Sequence, residues 1–433
     1  MLKTFEKLWA MVMLAFGCGA FGLLLVGPTT NLNRMAPEGN NFALAVNVGF
    51  HLIASLFYVV HARKLALVIT RVPWLFALVF YAGLSTVWSQ DPYLTFRRSL
   101  ILLATTIFGV YFGSRFELKE QIQILAWALL LALVASAGLA IVAPSLGVES
   151  GAHLGNWRGL FTQKNVLGRI AVLAILAFVF WRPSYRPLRY FAISFAIIVL
   201  GMTRSSTGFL AMMALAMVIP LFRLIRTKPM LLVPIAILLL AVGVTLGSIL
   251  LFNADVVLAV LGRNSTLTGR TELWHACLVS ITKRPVLGYG FDAFWLGMTG
   301  ESALVNTSVH WLVPTAHNGA LDLLLSLGAV GLGLFLFAYS LCVRKSFQFY
   351  LRHESHLRAW PLAYLAFFFL YNVTEVTEME QNSIFMMLFA ALAATVTSGA
   401  CQMETNDNEY LETIEDLYPP TSDLEADRIY LSQ

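Results

Sequence analysis

Apolar runs of about 20 residues recur along the chain, separated by short polar or charged stretches. About 20 apolar residues are what a helix needs to cross a bilayer. The runs are uniformly apolar rather than alternating, so they predict buried or lipid-facing helices and not strands. Twelve spans are expected, near 8–27, 42–60, 72–88, 99–113, 122–143, 167–181, 190–202, 208–222, 230–252, 316–342, 359–372 and 384–401. The first, LWAMVMLAFGCGAFGLLLVG, is too long for a typical signal segment and lacks a small-residue cleavage site, so it reads as a retained anchor. Two stretches interrupt the rhythm. One is a loop over 253–315, too long to be a mere connector; the other is a tail over 402–433. The expected fold class is an all-α polytopic membrane protein. Residues 1–401 form its transmembrane domain, with 253–315 as a large external loop, and 402–433 form a disordered acidic cytoplasmic tail.

Composition agrees. The chain of 433 residues is 58% hydrophobic and 12% charged, with a mean hydropathy of +0.74. These values exclude an ordinary water-soluble domain. The larger share of the 29 Lys and Arg falls on HARKLALVITR, RPSYRPLR, FRLIRTK, VRKSFQFYLRHESHLR and the other segments facing one side. The positive-inside rule then places both termini in the cytoplasm. Cys18, Cys277, Cys342 and Cys401 show neither metal-ligand spacing nor a disulfide framework. The tail holds nine of the chain's 24 acids, and reads either as a solvated tail or as a partner-docking segment. There is no internal repeat of the transporter kind.

Charge is almost absent from the span interiors, which carry Asn47, His51 and Asp322. A pump would place several ionisable groups at mid-membrane. Here the unusual polar groups sit at the outer ends of spans, which points to a site at the outer surface. Outer cations are not needed for orientation, and each either snorkels to lipid phosphates or binds a ligand. Arg34, Lys283 and Arg284 fit the first reading, as does Arg169. Arg158 in RGLFTQKN, Arg204 in TRSSTG and Arg270 in STLTGRTELW stand beside small or polar residues that let backbone approach a ligand. An arginine fork suits bidentate contact with phosphate. In NWRGLFTQKNVLGR, Lys164 and Asn165 form the turn into the sixth span, with Asn165 as its cap. GRTELWHACLVSITKRP predicts a helix with Leu273, Trp274, Cys277, Leu278 and Ile281 as a packing stripe and Thr268 as its cap.

In HWLVPTAHNGALDLLLSLGAVGLGLFL, Thr315 is the expected N-cap and His317 lies in the first helical turn. Positive charge is disfavoured there, which leaves a neutral imidazole able to accept a proton. The alternative is an interfacial histidine that only satisfies backbone groups. Asp322 falls on a different face and is not expected to orient the ring.

Taken in order, RGLFTQKNVLG, TRSSTG, TGRTELW, RPVLGYGFDAFW and AHNGALDLLLSLGAVGLGL, with LSTVWSQDP near the third span, resemble the O-antigen ligase and Wzy-type polymerase superfamily of bacterial envelope glycosyltransferases. The match is most like the succinoglycan-type exopolysaccharide polymerases. The resemblance implies a metal-independent GT-C-like enzyme in the bacterial inner membrane. It would need no cofactor and would act at the periplasmic face on undecaprenyl-pyrophosphate-linked glycans. By motif, Arg158 and Arg270 would hold the donor pyrophosphate and His317 would activate the acceptor hydroxyl. Lys164, Asn165 and Arg204 match family positions in substrate binding, and Asn318 shapes the turn around His317. A chain-length copolymerase and a flippase are the expected protein partners; no nucleic acid is expected.

Three functions compete at this level: a polymerase of lipid-linked repeats, a ligase transferring glycan to lipid A-core, and a flippase or exporter. The charge-free span interiors argue against the last.

Overall fold

The computed structural model describes residues 2–20, 41–150, 154–228 and 270–398. The expected span 230–252, loop residues 253–269 with Arg263 and Thr268, Arg34, Cys401 and the tail 402–433 lie outside them.

Among the described residues all regular structure is helical, apart from one isolated bridge between Val148 and Trp157. The helices are α1 (Leu2–Gly17), α2 (Asn41–Val60), α3 (Ala62–Ile69), α4 (Pro73–Leu84), α5 (Pro92–Arg115), α6 (Leu118–Val142) and α7 (Pro144–Gly147). They continue with α8 (Lys164–Phe180), α9 (Arg186–Thr203), α10 (Ser206–Thr227), α11 (Arg270–Lys283), α12 (Ser302–Val309), α13 (Gly319–Arg352), α14 (Trp360–Thr374) and α15 (Ile384–Ser398). Each expected span within the described residues overlaps a helix. Four of these (α5, α6, α9 and α13) are long and apolar enough to cross a bilayer, and α2 with α3 makes a fifth if that pair, bent by 96°, is one span. The protein is thus a polytopic membrane protein by its helices. The segment HARKLALVITR, expected only as a charged stretch between spans, forms the short helix α3, with Leu65 and Val68 buried on one face.

Close helix contact runs through small residues and a few buried polar groups, as expected where no water drives association. On α5, Gly109 and Gly113 lie one turn apart. A Cβ on either would collide with the α15 backbone at Met387 or Ala391. Beside this seam the buried Gln121 donates to Phe116 O at 2.7 Å and to Thr395 Oγ1 at 3.1 Å. One end of the bundle is fastened by buried Glu6, which accepts from Arg115 Nε at 2.7 Å and meets His61 Nε2 at 2.9 Å. α5 carries the chain from there to the opposite end, some 36 Å away for 24 residues at about 1.5 Å each.

At that opposite end α13 is not the continuous span expected for 316–342. Gly328 has φ 65° and ψ −167°, a conformation essentially restricted to glycine, and it breaks the helix. The backbone groups freed by the break are taken up by the segment 285–290. Ala329 N donates to Pro285 O at 2.8 Å, and Tyr289 N and Gly290 N donate to Leu325 O and Ser326 O at 2.8 and 2.9 Å. The same segment rests on 84–92. Trp88 Nε1 donates to Leu287 O, Gln90 N to Tyr289 O, and Phe291 N to Ser85 Oγ, each at 2.9 Å. LSTVWSQDP and RPVLGYGFDAFW therefore form one unit, wedged against a broken helix that leads back to His317.

Candidate active site

The site is assembled where four helix ends converge. Arg270 opens α11. One turn later Trp274 Nε1 donates to Ala316 O at 2.9 Å, while Ala316 N donates to Asp322 Oδ1 at 2.9 Å. Both backbone groups of the residue before His317 are thereby fixed, and Trp295 Nε1 donates to the same Asp322 oxygen at 2.8 Å. The stripe Leu273, Cys277 and Ile281 packs as expected with Phe294, Val305 and Leu325; Leu278 does not, being 50% exposed.

His317 has φ 49°, in the left-handed region that few non-glycine residues adopt. It lies just outside the helix rather than in its first turn. The N-cap is Asn318, not Thr315: the Asn318 side chain accepts from Leu321 N at 3.1 Å, and its amide donates to Val373 O at 3.1 Å. That second bond ties the turn to the end of α14. The imidazole lies against the Trp311 ring and points Nδ1 at Glu375 Oε2, 3.0 Å away.

Glu375 follows α14 and is the centre of the cluster. Its other oxygen, Oε1, accepts from Arg270 Nη2 at 3.2 Å. The side chains of Glu375, His317 and Arg270 are 15%, 19% and 21% exposed, so the pairings are shielded but reachable from outside. Burial pushes the Glu375 carboxyl up, but the hydrogen bond and charge of His317, with Arg270 and Arg169, outweigh it and hold it below the usual carboxylate range. Arg169, expected from sequence to snorkel to lipid phosphates, joins this cluster. Its Nη1 donates to Val376 O at 3.1 Å, its Nη2 stands 3.9 Å from Glu380 and its guanidinium lies over the Phe385 ring.

The remaining residues singled out by sequence lie on connected segments. Trp157 N donates to Met202 O at 3.0 Å and Ser205 Oγ to Asn165 Oδ1 at 3.2 Å, so RGLFTQKN and TRSSTG are joined. Asn165 does not cap α8, which begins at Lys164 after Gln163. The Glu149 carboxylate takes that place, accepting from Lys164 N at 2.6 Å. Arg158 donates from Nε to Leu146 O at 2.8 Å, and no contact brings it to Glu375 among the described residues. Arg204 is exposed, in the left-handed conformation at the end of α9. Lys283 and Arg284 do not reach for lipid phosphates alone: Lys283 pairs with Glu301, and Arg284 lies over Tyr289.

The arrangement offers a fork of guanidinium donors beside an imidazole whose second nitrogen, Nε2, is not held by the carboxylate. Among the described residues no group of three or more His, Cys, Asp or Glu is placed to hold a metal ion.

Comparison with known proteins bears on these same segments. The Wzy_C family, O-antigen ligase, matches residues 190–336, which contain Arg204, Arg270, His317 and Asn318 but neither Arg169 nor Glu375. The chain is 24% identical over 249 residues to "Exopolysaccharide production protein ExoQ" of Rhizobium meliloti (strain 1021), covering 52% of each. It is 39% identical over 70 residues to "Putative polysaccharide ligase RP358" of Rickettsia prowazekii (strain Madrid E), covering 16% of this chain and 17% of that protein. The matches span about half of the first relative and less of the second. The match to the O-antigen ligase domain over 190–336 and the two relatives agree with the resemblance to the O-antigen ligase and Wzy-type superfamily.

Proposed function

We propose that this protein is an inverting glycosyltransferase that joins lipid-pyrophosphate-linked oligosaccharide repeats into exopolysaccharide. The observation that carries the reading is the meeting of Arg270 and His317, from separate motifs, on one carboxylate. The acceptor hydroxyl gives its proton to His317 Nε2, and its oxygen bonds to the donor's anomeric carbon. The bond from that carbon to the pyrophosphate oxygen breaks, and its electron pair leaves with the lipid pyrophosphate. Glu375 accepts from Nδ1–H, which fixes the tautomer and steadies the imidazolium that forms. A glycosidase needs an acid to protonate a poor leaving group. A pyrophosphate leaves with its charge held by arginines, and that role falls to Arg270, with Arg158 as a second ligand. Lys164, Asn165 and Arg204 bind substrate from the neighbouring segment, and Asn318 sets the turn that aims His317.

The donor is an undecaprenyl-pyrophosphate glycan and the site faces the periplasm from the inner membrane, with both termini cytoplasmic. A GT-C-like architecture, independence from metal, and association with a chain-length copolymerase and a flippase belong to the same proposal. The relative named for exopolysaccharide production, matched over the longer stretch, favours polymerisation. The relative named as a polysaccharide ligase keeps transfer to lipid A-core as the second reading.

Deletion of the gene separates the two. Accumulation of single lipid-linked repeats supports the polymerase, whereas polymerised glycan left on its carrier supports the ligase.

A further inference from the structure

Glu375 has two partners, and they have opposite tasks in the proposed reaction. Arg270 must meet the anionic donor, and His317 must take a proton from the acceptor. Their shared carboxylate spends one oxygen on each, at 3.2 and 3.0 Å. Arg270 reaches Glu375 through one nitrogen, Nη2, and a pyrophosphate arriving at Arg270 presents more negative charge than a single carboxylate. Arg169, bonded to Val376 O, stays as the nearby cation on the Glu375 segment. Asp322 Oδ1 accepts from Ala316 N and Trp295 Nε1, and so braces the turn before His317.

We propose that Glu375 is a positioning residue that couples donor binding to acceptor activation: the donor's pyrophosphate displaces it from Arg270, and the released carboxylate serves His317 alone. With Arg270 engaged elsewhere, the carboxylate's charge is no longer shared, and the imidazole becomes the better proton acceptor only when a donor is in place. Such coupling gives an order to the reaction, donor before acceptor, and keeps a competent base away from stray hydroxyls. The proposal rests on the glycosyl-transfer reading for its kinetic consequences, but the competition for Arg270 is a binding property and is measurable without turnover.

The test uses full-length purified protein in detergent or nanodiscs. Inorganic pyrophosphate is titrated into the wild type, Glu375→Gln, Arg270→Gln and the double variant, and kcat and KM for a lipid-linked repeat are measured in parallel. Glu375→Gln keeps the shape and removes the charge. It is expected to bind pyrophosphate about fivefold or more tighter, in the range of ordinary coupling between sites. Its kcat is expected to fall about 100-fold while the donor KM does not rise, the loss typical of a compromised general base. In the Arg270→Gln background the gain in pyrophosphate affinity should vanish. A gain that persists without Arg270 shows general charge repulsion and overturns the proposal, as does weaker binding or an unchanged kcat in Glu375→Gln. Should Glu375→Gln not be recovered as a monodisperse protein, Glu375→Asp replaces it, with reduced kcat and unweakened pyrophosphate affinity expected and weakened affinity overturning. Wild-type protein that binds pyrophosphate with this pattern yet transfers no sugar contradicts the glycosyl-transfer reading and leaves the competition standing.

Discussion

His317 Nδ1 and Glu375 Oε2 stand 3.0 Å apart across 58 residues of sequence, joining the start of one long helix to the end of another. The pairing has a thermodynamic signature. Burial opposes the charge on Glu375, yet His317, Arg270 and Arg169 hold its carboxyl below the usual range. A depressed carboxyl stabilises the fold fully above its unfolded value of about 4.3, and that contribution is lost as pH falls through the lower folded value. Below about pH 4 the thermal midpoint of the wild type should therefore fall more steeply than that of Glu375→Gln. Thermal unfolding followed by intrinsic fluorescence across pH 3–7 measures this, and parallel curves for the two proteins would contradict it.

Glu378, three residues on, behaves in the opposite sense. Its side chain is buried against Gly319, where a Cβ would strike the carboxyl, and Thr377 N donates to it at 3.2 Å. Burial, aided by Asp322 and Glu380, raises it well above the ordinary carboxylate value. A raised carboxyl makes the folded state bind more protons, so stability declines as pH rises from about 4.3 through the folded value. Glu378→Gln, neutral at every pH, should remove that decline and be at least as stable as wild type at pH 8. A variant that loses more stability at pH 8 than at pH 5 shows the carboxyl to be needed as an anion.

Gly328→Ala tests the wedge beneath the site. The mirror-region backbone there costs a non-glycine residue about 1–3 kcal/mol, and a Cβ would also strike Val286 O and displace the 285–290 segment. The expected result is a thermal midpoint several degrees lower, with loss of activity following from movement of the chain that leads to His317. The neighbouring Gly333, whose Cβ would meet nothing, is the control, and Gly333→Ala should leave the midpoint unmoved or raise it slightly. Equal midpoints for the two variants would show that the break at Gly328 is not a structural requirement.

The helices were legible because membrane burial writes itself into continuous apolar runs, and α5, α6, α8, α9 and α15 fall on the runs that predicted them. The break in α13 was not legible, since Gly328 sits in a small-residue-rich stretch, SLGAVGLGL, where one glycine looks like another. Motif order pointed to Arg270 and His317 and missed their carboxylate. Glu375 lies in TEVTEMEQN, a short acidic connector that resembles any solvated loop, and periodicity does not report a pairing across 58 or 105 residues. The protein contacts of Arg169 were hidden for a related reason. One turn inside an apolar helix, it matched the pattern of a snorkelling side chain, and only the fold shows Val376 and Glu380 within its reach.

The most direct measurement is elongation of a defined lipid-linked repeat by purified protein in liposomes, comparing wild type with His317→Ala and repeating both in EDTA. Wild type is expected to lengthen the glycan with and without EDTA. His317→Ala, inserted and monodisperse, is expected to be slower by at least about 100-fold, as loss of a general base requires. Wild-type elongation by His317→Ala would rule out His317 as the general base.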